Sequence, residues 1–162
     1  MCIRDRDNAE SMLSRCRRSA NKYGLDNIGF IHGDTSDLLA LSEQIGRGTT
    51  VTARKANCVV ANMVLHHNAS PQSIFADVGK ILSADGVFFV SELCLHSQEW
   101  VRDAAGDVWL GFSEAQLAQW AKAAGMCSVA SVYTALRNGF RIQIHAYSKK
   151  PNVKAVEDSV TA

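Results

Sequence analysis

The chain has no appreciable excess of charge. Its 17 Lys and Arg stand against 16 Asp and Glu over 162 residues, a formal net charge of +1. Such a balance gives no case for electrostatic capture of nucleic acid or an anionic membrane. Long hydrophobic runs are missing too, and nothing approaches the ~20 consecutive apolar residues of a bilayer-spanning helix. Cysteines are few and scattered, at 2, 16, 58, 94 and 127. That scatter argues against a disulfide framework and predicts reduced, buried thiols in a cytosolic protein. Cys94-Leu95-His96 matches no zinc spacing, and adjacent His66 and His67 at a strand end would point in opposing directions. No metal is therefore expected. A glycine-rich loop that would bring backbone close to a ligand is also missing. Gly46-Arg47-Gly48 follows a predicted helix and precedes Thr-Thr-Val-Thr, so it reads as a surface turn.

What is present is an alternation of helix and strand patterns. The length suits one domain, and 47% hydrophobic residues is an ordinary globular content. Over 9–23, Met12, Leu13, Cys16, Ala20 and Tyr23 share a helical face, and Gly24 is a helix stop. Residues 28–32 read as a strand ending at Gly33-Asp34, 36–45 as a helix and 46–56 as a polar loop. The apolar run around Cys58-Val59-Val60 predicts a strand over 57–62. Ser70-Pro71 then supplies an N-cap and an N1 proline for a helix whose apolar stripe is Ile74, Phe75, Val78, Ile81 and Leu82. Gly86 leads into a second buried strand over 87–93. A helix near 97–106 follows, and Ser113-Glu114-Ala115-Gln116 is a capping box for another that ends at Gly125. Strands near 127–134 and 139–148 flank Arg137-Asn138-Gly139, a hairpin signal. Residues 151–162 read as a frayed tail.

Strand, polar loop, helix, glycine turn and strand make an α/β crossover unit, and ligands sit at the carboxyl ends of such strands. Asn62, His66 and His67 fall at such an end. The stretch Ala61-Asn62-Met63-Val64-Leu65-His66-His67 resembles the class I S-adenosylmethionine-dependent methyltransferases of the quinone-biosynthesis group, whose fourth strand ends in a Leu-His-His-like signature. Leu82-Ser83-Ala84-Asp85-Gly86 matches their next turn but lacks its proline and first glycine. Asp7-Asn8-Ala9-Glu10-Ser11-Met12-Leu13 resembles the segment after their second strand. The resemblance implies a doubly wound sheet of strand order 3-2-1-4-5-7-6. It also exposes an upstream gap, because the family's glycine loop and first strand precede anything seen here. Met1-Cys2-Ile3-Arg4-Asp5-Arg6 reads as translated sequencing adaptor. The expected organisation is an artefact at 1–6, a partial methyltransferase domain at 7–150 and a disordered tail at 151–162. The expected fold is an α/β, incomplete Rossmann-like sheet lacking the first strand and most or all of the second, with a C-terminal antiparallel hairpin. Residues 28–32 are then expected to lie unpaired or to re-dock on the strand at 57–62, and the fragment to be inactive by itself.

The same resemblance assigns a site. Asp7, with Asn8 beside it, would accept hydrogen bonds from the cofactor ribose, although Asp is equally a helix N-cap. Gly33-Asp34-Thr35 would meet the adenine, against the plainer reading of a turn. Asn62 and Met63 would flank the sulfonium end. His67 is the candidate base, and Glu92, His96 and Trp109 are candidates for an acceptor pocket, with the loop at 106–112 as a lid or simply packed on the sheet. The implied activity is methyl transfer from S-adenosylmethionine to a small molecule in the cytoplasm, with homodimerisation open. The alternative is a domain sensing S-adenosylmethionine or S-adenosylhomocysteine behind a winged-helix segment of the arsenic-repressor type. Nucleic acid enters only in that case.

Overall fold

A computed structural model describes residues 3–35 and 55–150. In chain order the elements are β1 (Ile3–Asp7), α1 (Glu10–Lys22), β2 (Ile28–His32), β3 (Ala56–Asn62), a 3-10 turn (Leu65–His67), α2 (Pro71–Ile81), β4 (Leu82–Leu93), α3 (Trp100–Ala105), α4 (Glu114–Ala123), β5 (Cys127–Ala135) and β6 (Arg141–Ser148). The expected helix at 36–45, most of the loop at 46–56 and the tail lie outside the described residues.

The strands form two sheets. β1 and β2 pair in parallel, and β3-β4-β6-β5 form a four-stranded sheet. β3 and β4 are parallel, and β6 runs antiparallel to both β4 and β5. The order β2-β1 followed by β3-β4-β6-β5 is the implied methyltransferase order with its first strand unrepresented among the described residues. The α/β class, the partial sheet and the closing hairpin are as expected.

Several local expectations change. Residues 28–32 are neither unpaired nor docked on β3: they pair with β1 in register from Ile3↔Ile28 to Asp7↔His32. Residues 3–6, read above as adaptor-derived, supply the first four positions of that ladder. Backbone pairing needs no apolar side chains, so a polar run such as Ile-Arg-Asp-Arg-Asp can serve. β4 begins at Leu82, not 87, because the turn without its proline stays extended, and Leu82 pairs with Ala56 across a register shift. A Cβ on Gly86 would come within 2.9 Å of the Ala56 carbonyl oxygen, so the close approach there requires glycine. Ser70 caps α2 without a side-chain bond. Asn68 Oδ1 accepts from Ser70 N instead, at 2.8 Å.

The core lies between α2 and α4 and one face of the four-stranded sheet, with Phe75, Val78, Phe88, Val90, Leu117 and Tyr147 among its buried members. Phe75 meets Phe88 and Tyr147 edge-on at centroid distances of 5.3 and 5.9 Å. Among the described residues, part of the opposite face is uncovered, while Leu93 and Ile142 pack there with Val101 and Phe140. Val60 pairs with Phe89 and Ile144 pairs with Val132 there, and all four are exposed. Two further expectations change. Cys58 is exposed and Cys16, Cys94 and Cys127 are only half-buried, although all four are free thiols. Met12 of α1 and Tyr23 just after it are also exposed, leaving Leu13 and Ala20 buried. No helix of the described residues is long and apolar enough to cross a membrane.

Candidate functional site

The parallel register of β1 on β2 brings two predicted segments to one carboxyl edge. Asp7 lies opposite His32, and Gly33 N donates to the Asp7 carbonyl at 3.1 Å. Asp7 Oδ1 accepts from Ala9 N at 2.7 Å, which turns the chain into α1. His32 Nε2 lies 2.9 Å from the Asn8 carbonyl oxygen. Thr35 Oγ1 donates to Asp34 Oδ1 at 2.9 Å and accepts from Asn68 Nδ2 at 2.7 Å. That last bond ties the end of β2 to the loop after β3. Asp7, Asn8, Gly33, Asp34 and Thr35 are thus brought together.

At the end of β3 the chain turns sharply. Met63 has φ +54 and is the non-glycine residue with positive φ among the described residues. A left-handed backbone costs roughly 1–2 kcal/mol for such a residue. Met63 N donates to the Ser91 carbonyl at 2.8 Å, and its side chain packs with Leu93, Val101 and Phe140. Asn62 stays exposed beside it. The 3-10 turn then carries Leu65, His66 and His67.

This turn is held from beneath by Glu92 on β4. Glu92 is fully buried. Its Oε1 accepts from Leu65 N at 2.6 Å, and its Oε2 accepts from His66 Nδ1 at 2.7 Å and from Leu93 N at 3.1 Å. A buried carboxylate persists only with such compensation. His66 is buried as well. Burial, the largest influence on its pKa, lowers it, but the hydrogen bond and charge of Glu92 and the charge of Asp107 together raise it above the ordinary histidine value. His66 Nε2 stands 3.9 Å from Asp107 Oδ1, and His67 Nδ1 stands 3.6 Å from the same oxygen. The two imidazoles do not point apart as alternation along a strand would have them. The 3-10 turn sets their ring centroids 4.1 Å apart.

The residues expected at an acceptor pocket are distributed differently. Glu92 faces the turn, with both oxygens engaged. His96 is half-buried and edge-on to Phe140 at 4.9 Å, its Nδ1 accepting from Gln98 N. Trp109 donates from Nε1 to the Asn68 carbonyl at 2.9 Å and packs on Phe112 and Trp120. The 106–112 segment is stitched down rather than hinged. Val108 N and Trp109 N both donate to the His66 carbonyl, Leu95 N donates to the Phe112 carbonyl, and His96 N donates to the Leu110 carbonyl. The geometry favours the packed reading of this segment over the lid. Asp107 and Asn68 were not singled out in the sequence. The signal for Asp107 was a lone acid in the short segment Gly106-Asp107-Val108-Trp109, flanked by large apolar residues.

A family model described as a methyltransferase domain matches residues 6–149. No curated protein matches the sequence. Among solved structures, one from Galdieria sulphuraria, described as a sarcosine dimethylglycine methyltransferase, aligns with a TM-score of 0.69 at 11% identity, covering 92% of this chain and 70% of that one. The magnesium protoporphyrin IX methyltransferase of Synechocystis PCC 6803, with S-adenosylhomocysteine bound, aligns at 0.66 and 12% identity, covering 92% and 64%. The [4+2]-cyclase SpnF aligns at 0.69 and 12%, covering 94% and 68%. The chain thus spans about two thirds of the length of these three. At such identities the likeness shows the fold alone, and a cyclase among the matches illustrates that one fold hosts several chemistries.

Proposed function

Because the chain belongs to this family of methyltransferase domains, we propose that it serves the transfer of a methyl group from S-adenosylmethionine to a small-molecule acceptor. The observation that carries the cofactor half of this reading is the β1–β2 register, which pairs Asp7 with His32 and bonds its backbone carbonyl to Gly33 N, so that the ends of both strands meet at one edge. In this reading Asp7 and Asn8 receive the ribose. Gly33, Asp34 and Thr35 receive the adenine, a carboxylate being suited to an exocyclic amine and a backbone N–H to a ring nitrogen. Asn62 and Met63 flank the sulfonium. The free thiols fit a reducing cytoplasm.

Methyl transfer is an in-line displacement. The bond from sulfur to the methyl carbon breaks as the acceptor heteroatom bonds that carbon, leaving S-adenosylhomocysteine and an acceptor that sheds a proton. Positioning contributes most. A base matters where the acceptor must be deprotonated, and His67, half-exposed beside Asp107, is our candidate. His96 and Trp109 are proposed to border the acceptor, with Glu92 supporting them through the His66 turn.

Calorimetry of S-adenosylhomocysteine with the protein tests this reading. Asp7→Ala should weaken binding by about 1–3 kcal/mol through lost hydrogen bonds to a charged group. An unchanged dissociation constant would remove Asp7 from the site. Ligand-dependent release of DNA without any turnover would replace the enzyme by the regulator.

A further inference from the structure

Asp107 sets a problem that the methyl-transfer reading does not absorb. The residue is 6% exposed, and its Oδ1 is buried without a hydrogen-bond partner. Leaving such an oxygen unmet costs about 1–3 kcal/mol, more when it is charged. Two imidazole nitrogens face it, at 3.6 Å from His67 and 3.9 Å from His66, too far for hydrogen bonds. All three atoms lie within 4.8 Å of one another. Nitrogen and oxygen ligands at ~2.0–2.1 Å from a zinc ion stand roughly 3.3–3.6 Å apart. The two spacings to Asp107 Oδ1 are therefore close to what a shared cation requires, and a small rotation of the exposed His67 ring would bring the two nitrogens together.

The surroundings have the character of a built site. His66 donates its Nδ1–H to Glu92 at 2.7 Å, which fixes the tautomer and turns the Nε2 lone pair toward Asp107. Histidine ligands of metals are commonly held in this way, by a carboxylate on the far nitrogen. The His66 carbonyl accepts from Val108 N and Trp109 N at 2.9 and 3.0 Å, which locks Asp107 in place over the turn. His67 is half-exposed and leaves a path for a cation and a place for water.

We propose that His66 Nε2, His67 Nδ1 and Asp107 Oδ1 form a binding site for a divalent transition-metal cation of the zinc type. Two histidines and a carboxylate leave a fourth position open to water or ligand. The proposal needs neither the cofactor nor an acceptor, and a cation on His67 Nδ1 would take that nitrogen from the role of base.

The test is titration of the chain with Co2+, followed by competition with Zn2+. The wild type should develop the visible ligand-field absorption of a four- or five-coordinate cobalt site, abolished by one equivalent of zinc. His67→Ala, at an exposed position that leaves the fold intact by circular dichroism, should weaken cobalt binding at least tenfold. Asp107→Asn should do the same, and His32→Gln, on a histidine outside the cluster, should not. Absence of the band in the wild type, or its persistence in both His67→Ala and Asp107→Asn, would overturn the proposal.

Discussion

Glu92 does more than its place at a strand end suggests. One carboxylate satisfies two backbone donors, Leu65 N and Leu93 N, and orients the His66 ring. Truncating it strands all three in a dry environment. Glu92→Ala should therefore cost about 3–5 kcal/mol, the range for breaking a buried charged pair. Glu92→Gln, which keeps one acceptor oxygen, should cost clearly less. Denaturant midpoints compare the two, and equal losses would mean that packing rather than hydrogen bonding anchors the turn. Gln143 plays a comparable part on β6. Its Nε2 donates to the Leu93 and Phe112 carbonyls at 3.2 and 2.6 Å, and its Oε1 faces His145 Nε2 at 2.8 Å. Burial holds His145 below the ordinary histidine pKa, against a smaller opposing effect of Glu114.

Among the elements, the 106–112 segment depends on one glycine. Gly111 has φ +72, and a Cβ there would lie 2.3 Å from the Cys94 carbonyl oxygen. Left-handed strain of about 1–2 kcal/mol and a backbone overlap of about 1–3 kcal/mol add for Gly111→Ala, giving a loss near 2–5 kcal/mol. A thermal midpoint within a degree of the wild type would contradict this geometry. Elements of this kind separate what sequence shows from what it hides. The Asn138-Gly139 hairpin, the apolar stripe of α2 and the Ser113 cap, whose Oγ accepts from Gln116 N at 3.2 Å, all depend on neighbours within a few residues. They were legible for that reason. The pairing that sets Asp7 beside Gly33 was not legible, because the polar run at 3–6 was read as adaptor-derived and 28–32 as unpaired or re-docked. Nor was the Glu92–His66–Asp107 arrangement, because sheet closure joins residues far apart in the chain. The histidine pair was misjudged because alternation along a strand was assumed where the backbone makes a 3-10 turn. Burial of Cys58 was overestimated because an apolar strand was taken to be covered on both faces.

At the scale of the whole molecule, part of one face of the four-stranded sheet is uncovered and the outer ladder of β3 is unpaired among the described residues. Val60 and Val132 are 62% and 61% exposed there. Open edges beside apolar faces favour chain-to-chain pairing. The chain expressed alone should self-associate, and light scattering should grow with concentration. A sharply melting monomer at high concentration would speak against this. The division into two ladders has a kinetic side as well. Among the described residues, β1 and β2 share strand hydrogen bonds only with each other, so the half bearing Asp7 and Gly33 should open without disturbing β4 or β6. A two-stranded ribbon has little independent stability. Backbone amides of Ile31 and Gly33 should therefore exchange with deuterated solvent well before those of Val90 and Ile144. The proposed cofactor-binding edge would then sit on the more labile cooperative unit, and a ligand spanning both halves would slow its opening.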